Sequence, residues 1–156
     1  MKTFLKTILI AVLALAAVPG LAAGPDQKNA VSAEEVAALY ADKTWIWSDD
    51  SDESGSYWGP KGQFEAVWKG SVGVGKWYAT DKGNLCYEAK WKRNAKDREV
   101  VVKRCWRHVK DSTGAWWKQD PETRKWYDAG EELTESMQDG NQMKASVEKL
   151  RKKFGL

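Results

Sequence analysis

The spacing of hydrophobic residues changes once along the chain, from about four residues to two. Ser32 followed three residues later by Glu35 forms a capping box, the usual start of a helix. Val36 and Tyr40 then lie at helical spacing behind it. We therefore predict a short helix over residues 33–41.

Beyond this helix, apolar and polar residues alternate in short segments that are separated by Gly, Pro and Asp. A period of two is typical of strands with one buried face. We interpret residues 49–56 as a polar loop and predict strands over residues 44–47, 63–69, 72–80, 85–91, 100–108, 115–119 and 125–128. Short turns between consecutive strands predict a mainly β fold, an antiparallel meander that is barrel-like or strongly curled.

The hairpin between residues 85–91 and 100–108 allows its register to be predicted. If Cys86 lies opposite Cys105, Glu88 lies opposite Lys103, which is a favourable cross-strand charge pair. The other face then carries Leu85 with Trp106, Tyr87 with Arg104, Ala89 with Val102, and Trp91 with Val100. A slip by one residue would move all of these side chains to the wrong face.

The two ends of the chain differ from this pattern. Lys2 and Lys6 precede an apolar run over residues 8–18, and small residues follow, as in a secretory signal peptide cleaved near Ala22 or Ala23. The run is shorter than the roughly 20 residues needed to span a bilayer, so we expect export to the periplasm or outside, without a stable membrane anchor. We divide the chain into a signal peptide (1–23), a leader (24–31), a β-rich domain with its N-terminal helix (32–132) and a C-terminal helical segment (133–156).

The C-terminal helix is predicted beyond Gly140. Met143, Val147, Leu150 and Phe154 share one face at helical spacing, and Gly155 follows as a C-terminal cap. This amphipathic helix has a basic outer face, and we expect its apolar face to cover the sheet.

The net charge and the cysteine content limit which partners and ligands we expect. Cleavage after residue 23 lowers the formal net charge from +3 to +1, since two lysines and no acids are lost, and a near-neutral surface argues against nucleic acid. Cys86 and Cys105 are the only cysteines, and in an oxidising compartment such a pair is most simply a disulfide. Their spacing fits neither a C-x-x-C redox motif nor a metal site, so we expect no metal and no cofactor.

Two further motifs resemble known sites but lack an essential residue. Residues 70–76 have the glycine and lysine spacing of a phosphate-binding loop, yet Trp77 stands where Ser or Thr should bind magnesium. Asp50 and Asp52 match the opening of a calcium loop whose twelfth position is Lys61 instead of Glu. We interpret the glycines as sites of strand bending and the acids as a solvated hairpin tip.

Ten tryptophans and a single histidine are the residues that could form a binding site. Strand alternation assigns Trp77, Trp91, Trp106 and Trp117 to interior faces and places Trp116 on the other side from Trp117. It leaves open whether the remaining six lie in the core or in water: Trp45, Trp47, Trp58, Trp68, Trp116 and Trp126. We expect His108 to have Trp117 as its neighbour across the next turn, and interpret it as a hydrogen-bonded histidine within or at the mouth of the core. The alternative is a polar anchor in an aromatic pocket, with Arg104 pairing an anionic group.

Five segments together resemble the domain-of-unknown-function 995 family, small exported proteins of alphaproteobacteria. They are residues 43–47, 57–64, 75–77, 83–87 and 105–108, and the likeness extends in order over about residues 36–128. The resemblance implies a secreted or periplasmic β-rich domain with the same cysteine pair. It implies no activity, cofactor or catalytic residue.

Our functional prediction is a non-enzymatic envelope protein that binds a small apolar or anionic ligand in the concave face of its sheet. The residues expected to bind are Trp91, Arg104, Trp106, His108 and Trp117. One alternative is a module that binds carbohydrate or cell wall, such as an envelope polysaccharide, on exposed tryptophans. Another is a structural or interaction protein whose tryptophans are all core. A flat, exposed row of Trp side chains would favour the binding of sugars. An enclosed aromatic cavity would favour the binding of a small ligand, and full burial of all Trp side chains would favour a structural role.

Overall fold

A computed structural model describes residues 24–28, 31–47 and 54–156. The predicted signal peptide and residues 48–53, which include the acids of the predicted hairpin tip, lie outside the described residues. The helices are α1 (Ala33–Tyr40), α2 (Gly130–Glu135) and α3 (Lys144–Phe154). The strands are β1 (Lys43–Trp47), β2 (Ser54–Trp58), β3 (Gln63–Trp68), β4 (Ser71–Ala79), β5 (Asn84–Lys92), β6 (Val100–Lys110), β7 (Trp116–Gln119), β8 (Trp126–Asp128) and β9 (Met137–Asp139).

All of these strands form one antiparallel sheet, strongly curled into a half-barrel. Strands β1 to β8 are neighbours in chain order, and β9 returns to pair with β1 at the far edge. The predicted mainly β meander is thus confirmed. The sequence pattern missed β2, which begins with Ser54, Gly55 and Ser56, residues of low strand propensity that pair because β1 and β3 flank them.

The hairpin of β5 and β6 has the predicted register. Cys86 pairs with Cys105 and Glu88 with Lys103, while Tyr87 pairs with Arg104 on the opposite face. The two cysteines form a disulfide, with an S–S distance of 2.03 Å. The predicted disulfide is confirmed, and the match of both faces shows that local side-chain chemistry was sufficient to define this register.

Removing the disulfide is expected to lower the free energy of unfolding by about 3 kcal/mol, because the bond closes a loop of some 20 residues in the unfolded chain. The double variant Cys86→Ala/Cys105→Ala should show this loss in urea unfolding. A reductant should destabilise the wild type by a similar amount and leave the variant unchanged. Equal stability of variant and wild type would contradict the expectation.

The helices pack on opposite faces of the curl. In α1 both hydrogen bonds of the predicted capping box form, and its Val36 and Tyr40 are buried in the concave core. In α3 the buried Val147 and Phe154 pack on the convex face against a second apolar cluster. Gly155, with a φ of 71°, ends α3 as predicted. Consequently α1 fills one end of the concave side, and α3 covers the outside.

The segment predicted as one C-terminal helical region, residues 133–156, instead holds the end of α2, strand β9 and α3. Helix α2 and its flanks join the two edge strands, β8 and β9. The N–H of Ala129 donates to the carbonyl of Trp116 on β7, and the N–H of Ile46 on β1 donates to the carbonyl of Ser136, both at 2.8 Å. Helix α2 therefore bridges the open side of the half-barrel. Its short polar sequence carries no periodic pattern by which it could have been predicted.

Candidate ligand-binding cavity

A cavity of about 1310 Å³ occupies the part of the concave face that α1 leaves unfilled. Small-molecule sites usually measure about 300–1,000 Å³, so this space is large enough for a ligand. The aromatic side chains that line it are Trp45, Trp47, Trp68, Tyr87, Trp91, Trp106 and Tyr127. They come from five different strands, which the curl of the sheet brings together.

Strand alternation places these side chains along each inner face. On β6, Val100, Val102, Arg104 and Trp106 line the cavity in turn. The next inward residue, His108, is covered by Tyr40 of α1. The cavity thus ends where α1 begins, and one strand contributes to both the open and the filled part of the concave side.

Glycines of β4 make room for the Trp91 wall. A Cβ atom on Gly73 would lie 2.4 Å from Cε2 of Trp91, and one on Gly75 would lie 2.5 Å from the Cα of Ala89. The paired strand approaches so closely that no larger residue fits. The spacing that resembled a phosphate-binding loop therefore belongs to a strand, as predicted, and it serves the packing of the cavity wall.

Charged residues surround the aromatic lining. Arg104, which we expected to pair with an anionic ligand group, forms an ion pair with Glu122 at 2.7 Å. Arg93 pairs with Asp97 at 3.2 Å. The acidic residues at the cavity are Glu122, Asp128, Glu131, Glu132 and Glu135, and the basic ones are Arg93, Arg98 and Arg104. Among the described lining residues, the carboxylates therefore outnumber the guanidinium groups.

A buried lysine lies directly behind this lining. Lys118 of β7 has no exposed surface, and its Nζ lies 3.5 Å from the ring centroid of Trp45 and 5.4 Å from that of Trp106. Its ion pair with Oε1 of Glu132, at 2.5 Å, joins β7 to α2. Burial lowers the pKa of Lys118 to about 8, against the opposing effect of Glu132. The amine is thus held in a mostly aromatic environment beside one carboxylate.

Glu132 connects this lysine to the cavity. Its side chain is 16% exposed and lines the cavity, while its Oε2 accepts a hydrogen bond of 3.2 Å from the Tyr127 hydroxyl. Burial, reinforced by Glu132, raises the pKa of Tyr127, which keeps that hydroxyl protonated as a donor. The carboxylate is therefore oriented from two sides and faces the space that a ligand would occupy.

His108 is neutral and fully buried. Burial, reinforced by the charge of Lys118, lowers the pKa of His108 to about 3. Its Nδ1 lies 3.3 Å from the carbonyl of Gly83, which can only accept, so Nδ1 carries the proton and Nε2 accepts from the Tyr40 hydroxyl at 2.9 Å. This agrees with the interpretation of a hydrogen-bonded core histidine.

The structure brings three of the five expected binding residues to the cavity. Trp91, Arg104 and Trp106 line it, whereas His108 lies beneath α1 and Trp117 is not in the lining. The expected pairing of Trp117 with His108 is wrong, because β6 and β7 are shifted by one residue: His108 pairs with Lys118, and Trp117 with Val109.

The turn between these strands explains the shift. Asp111 accepts hydrogen bonds from the backbone N–H groups of Thr113 and Ala115, and Gly114 adopts a φ of 88°. These bonds hold five residues, 111–115, between the paired positions Lys110 and Trp116. A shift of one residue exchanges the faces, so Trp116 packs against the inner core while Trp117 donates its Nε1–H to Asp111.

Sequence analysis missed Lys118, Glu132 and Tyr127 as candidate site residues. The sequence left the faces of Trp45 and Trp47 open, and the structure places both in the cavity lining. The sequence pattern gave no sign that Lys118 points inwards. Such a lysine can be predicted in a strand only when the carboxylate that pairs with it is known. That carboxylate comes from α2, which was not predicted.

Comparisons with known proteins identify a family and no characterised relative. A family model described as a protein of unknown function (DUF995) matches residues 7–149. No curated protein and no solved structure matches the chain. Among the described residues, no helix is both long and apolar enough to cross a membrane.

Proposed function

The chain belongs to the DUF995 family, and for this member we propose that it binds a small, mainly apolar ligand in the concave face of its sheet. The observation that carries the proposal is the cavity of about 1310 Å³ with aromatic rings on its walls. Such rings offer large apolar contact areas and, through Trp N–H and Tyr O–H groups, a few polar contacts. Apolar surface with a few convergent polar groups is the usual composition of a small-molecule site.

The charges favour an apolar ligand over an anionic one. The guanidinium of Arg104 is already engaged by Glu122, so an anion would have to displace that carboxylate. Carboxylates on α2 and β8 would also repel an anion. Binding energy is expected to come from burial of ligand surface against the rings, at about 25 cal/mol per Å².

The exposure of the tryptophans separates this proposal from its alternatives. All ten lie in the described residues, and of these Trp68 alone is mostly exposed, at 51%. A flat row of solvent-facing rings, as expected of a polysaccharide platform, is therefore not supported. Full burial, as expected of a purely structural role, is not supported either, since Trp45, Trp47 and Trp91 are half-buried at the cavity.

A pair of neighbouring substitutions tests the cavity. Val102 faces the cavity, whereas Val101 faces outwards and is 61% exposed. We expect the wild type to bind the neutral fluorophore N-phenyl-1-naphthylamine saturably. Val102→Trp places a bulky ring among the residues that line the cavity and should weaken binding at least about tenfold, the effect of 1.4 kcal/mol. Val101→Trp adds the same side chain outside the cavity and should leave binding unchanged. Equal binding of the fluorophore by all three proteins, or no binding by the wild type, would refute the proposal. Binding of an oligosaccharide but not of the fluorophore would favour the carbohydrate alternative.

We also propose that the protein acts after export, because disulfides persist in oxidising compartments. Expression of the full chain in a bacterium should then yield a periplasmic or secreted protein that begins at residue 23 or 24. Intact-mass measurement of the fractionated protein checks this expectation. Recovery of uncleaved, thiol-containing protein from the cytoplasm as the sole product would contradict it.

A further inference from the structure

Lys118 is a buried primary amine that lies behind the cavity lining. It is the one fully buried lysine among the described residues, on the inner face of β7. Trp45 and Trp106, which contact its ammonium group, also line the cavity. The third group beside Nζ, the Glu132 carboxylate, faces the cavity as well. A ligand in the cavity is therefore separated from the amine by one layer of side chains.

This environment favours amine chemistry. An ammonium group in apolar surroundings loses its proton more readily than one in water, and the neutral amine is the form that attacks carbonyl carbons. With the pKa of Lys118 near 8 instead of 10.5, the neutral fraction at pH 7 rises roughly 300-fold. Glu132 is placed to accept the released proton and, once it has given that proton back, to act as the counter-ion of a charged product.

We propose that Lys118 reacts with the aldehyde group of an apolar ligand lodged in the cavity and forms a reversible imine. The inference rests on the proposed ligand-binding function and specifies the ligand class as carbonyl compounds with an apolar body. The single contact that carries it is the ion pair between a fully buried amine and a cavity-facing carboxylate.

The step balances without any oxidant or reductant. The Lys118 ammonium gives one proton to Glu132, and the nitrogen lone pair then forms a bond to the carbonyl carbon. A proton moves from this nitrogen to the former carbonyl oxygen, giving a carbinolamine. Glu132 returns its proton to the hydroxyl group, which leaves as water while the C=N bond forms. The product is a protonated imine beside the Glu132 carboxylate, with the same total charge as before.

Access to Nζ depends on α2. None of the six residues of α2, all of them described, is fully buried, and its side-chain ties to the sheet include Glu132 with Lys118 and Tyr127. Segments with few buried contacts open locally at low free-energy cost. Local opening of α2 thus admits a ligand to the amine without unfolding the sheet, and reclosing returns the Glu132 carboxylate to Nζ.

Reductive trapping tests the imine. The full-length mature chain is incubated at pH 7 with 2-naphthaldehyde and sodium cyanoborohydride, and the modified lysines are identified by peptide mapping. We expect Lys118 to be labelled at least about tenfold faster than exposed lysines such as Lys103, because the cavity holds the apolar aldehyde beside Lys118 and nothing holds it beside an exposed lysine. Excess N-phenyl-1-naphthylamine should slow the labelling of Lys118 alone.

The variant Lys118→Arg keeps the positive charge and should lose the preferred adduct. If this variant does not fold, peptide mapping of the wild type still shows whether Lys118 is the preferred site of labelling. Labelling spread evenly over exposed lysines, with none preferred at Lys118, would overturn the imine. If the fluorophore still binds saturably in that case, only the imine fails. If the fluorophore does not bind either, the proposed ligand-binding function fails with it.

Discussion

Replacing Glu132 with glutamine is expected to lower the free energy of unfolding by about 3–5 kcal/mol at pH 7. The substitution leaves the Lys118 ammonium buried among aromatic rings without its carboxylate. Breaking one partner of a buried ion pair is costly, because the remaining charge keeps its desolvation penalty and loses the attraction that offset it. The amide retains an acceptor for the Tyr127 hydroxyl, so the loss reports the charge and not the hydrogen bond.

Urea unfolding monitored by Trp fluorescence measures this effect, with Glu135→Gln as the control. Glu135 lies on the same short helix and at the same cavity, but is exposed, so its neutralisation should change stability by about 0.5 kcal/mol or less. The difference between wild type and Glu132→Gln should be smaller above pH 8, where Lys118 of the folded wild type has lost its proton, than at pH 7. Equal losses in the two variants would show that the ion pair is not the cause.

Stability is also expected to fall by about 2 kcal/mol between pH 7.5 and pH 5 because of His108 alone. The pKa of this residue is about 3 in the folded protein, against an ordinary value of 6.5. The unfolded chain therefore binds a proton in this window that the folded protein does not bind. The stabilisation is complete above pH 6.5 and is lost as the pH falls towards 3, where the total reaches about 5 kcal/mol.

Because His108 is the only histidine, a substitution can isolate this slope. The variant His108→Gln retains a donor and an acceptor for Gly83 and Tyr40, and its stability should be nearly constant between pH 7.5 and pH 5. Hydrogen bonds lower the pKa of Asp111 to about 2 and also lower the pKa of Glu35. Protonation of these two carboxylates therefore changes the stability chiefly below pH 5, outside the range used to test His108. An unchanged slope in the variant would assign the proton uptake to another group.

These two predictions concern adjacent residues on paired strands. His108 and Lys118 lie opposite each other on β6 and β7, and both have a pKa lowered chiefly by burial. The histidine is neutral and satisfied by two hydrogen bonds, whereas the lysine keeps its charge through one carboxylate. Lys118, behind the cavity lining, therefore contributes both to the electrostatic stability of the fold and to its proposed binding chemistry.

The sequence by itself determined the elements whose cause is local. The capping box set the start of α1, apolar spacing and Gly155 set the extent of α3, and alternation with short turns set the meander. The register of β5 and β6 followed from one arrangement that satisfied the disulfide, a charge pair and an apolar face together. Each of these depends on residues that are close in the chain or that constrain one another chemically.

Only the tertiary structure decided which side chains form the cavity. A turn one residue longer than expected exchanged Trp117 for Trp116 on the inner face and turned Lys118 inwards. The burial of Lys118 then depends on Trp45 from β1 and Glu132 from α2, which the curl of the sheet brings together. Alternation shows that a strand has two faces, but it does not show which face is enclosed. The burial of Lys118 therefore follows only from the tertiary structure, in which both edges of the half-barrel contribute residues around it.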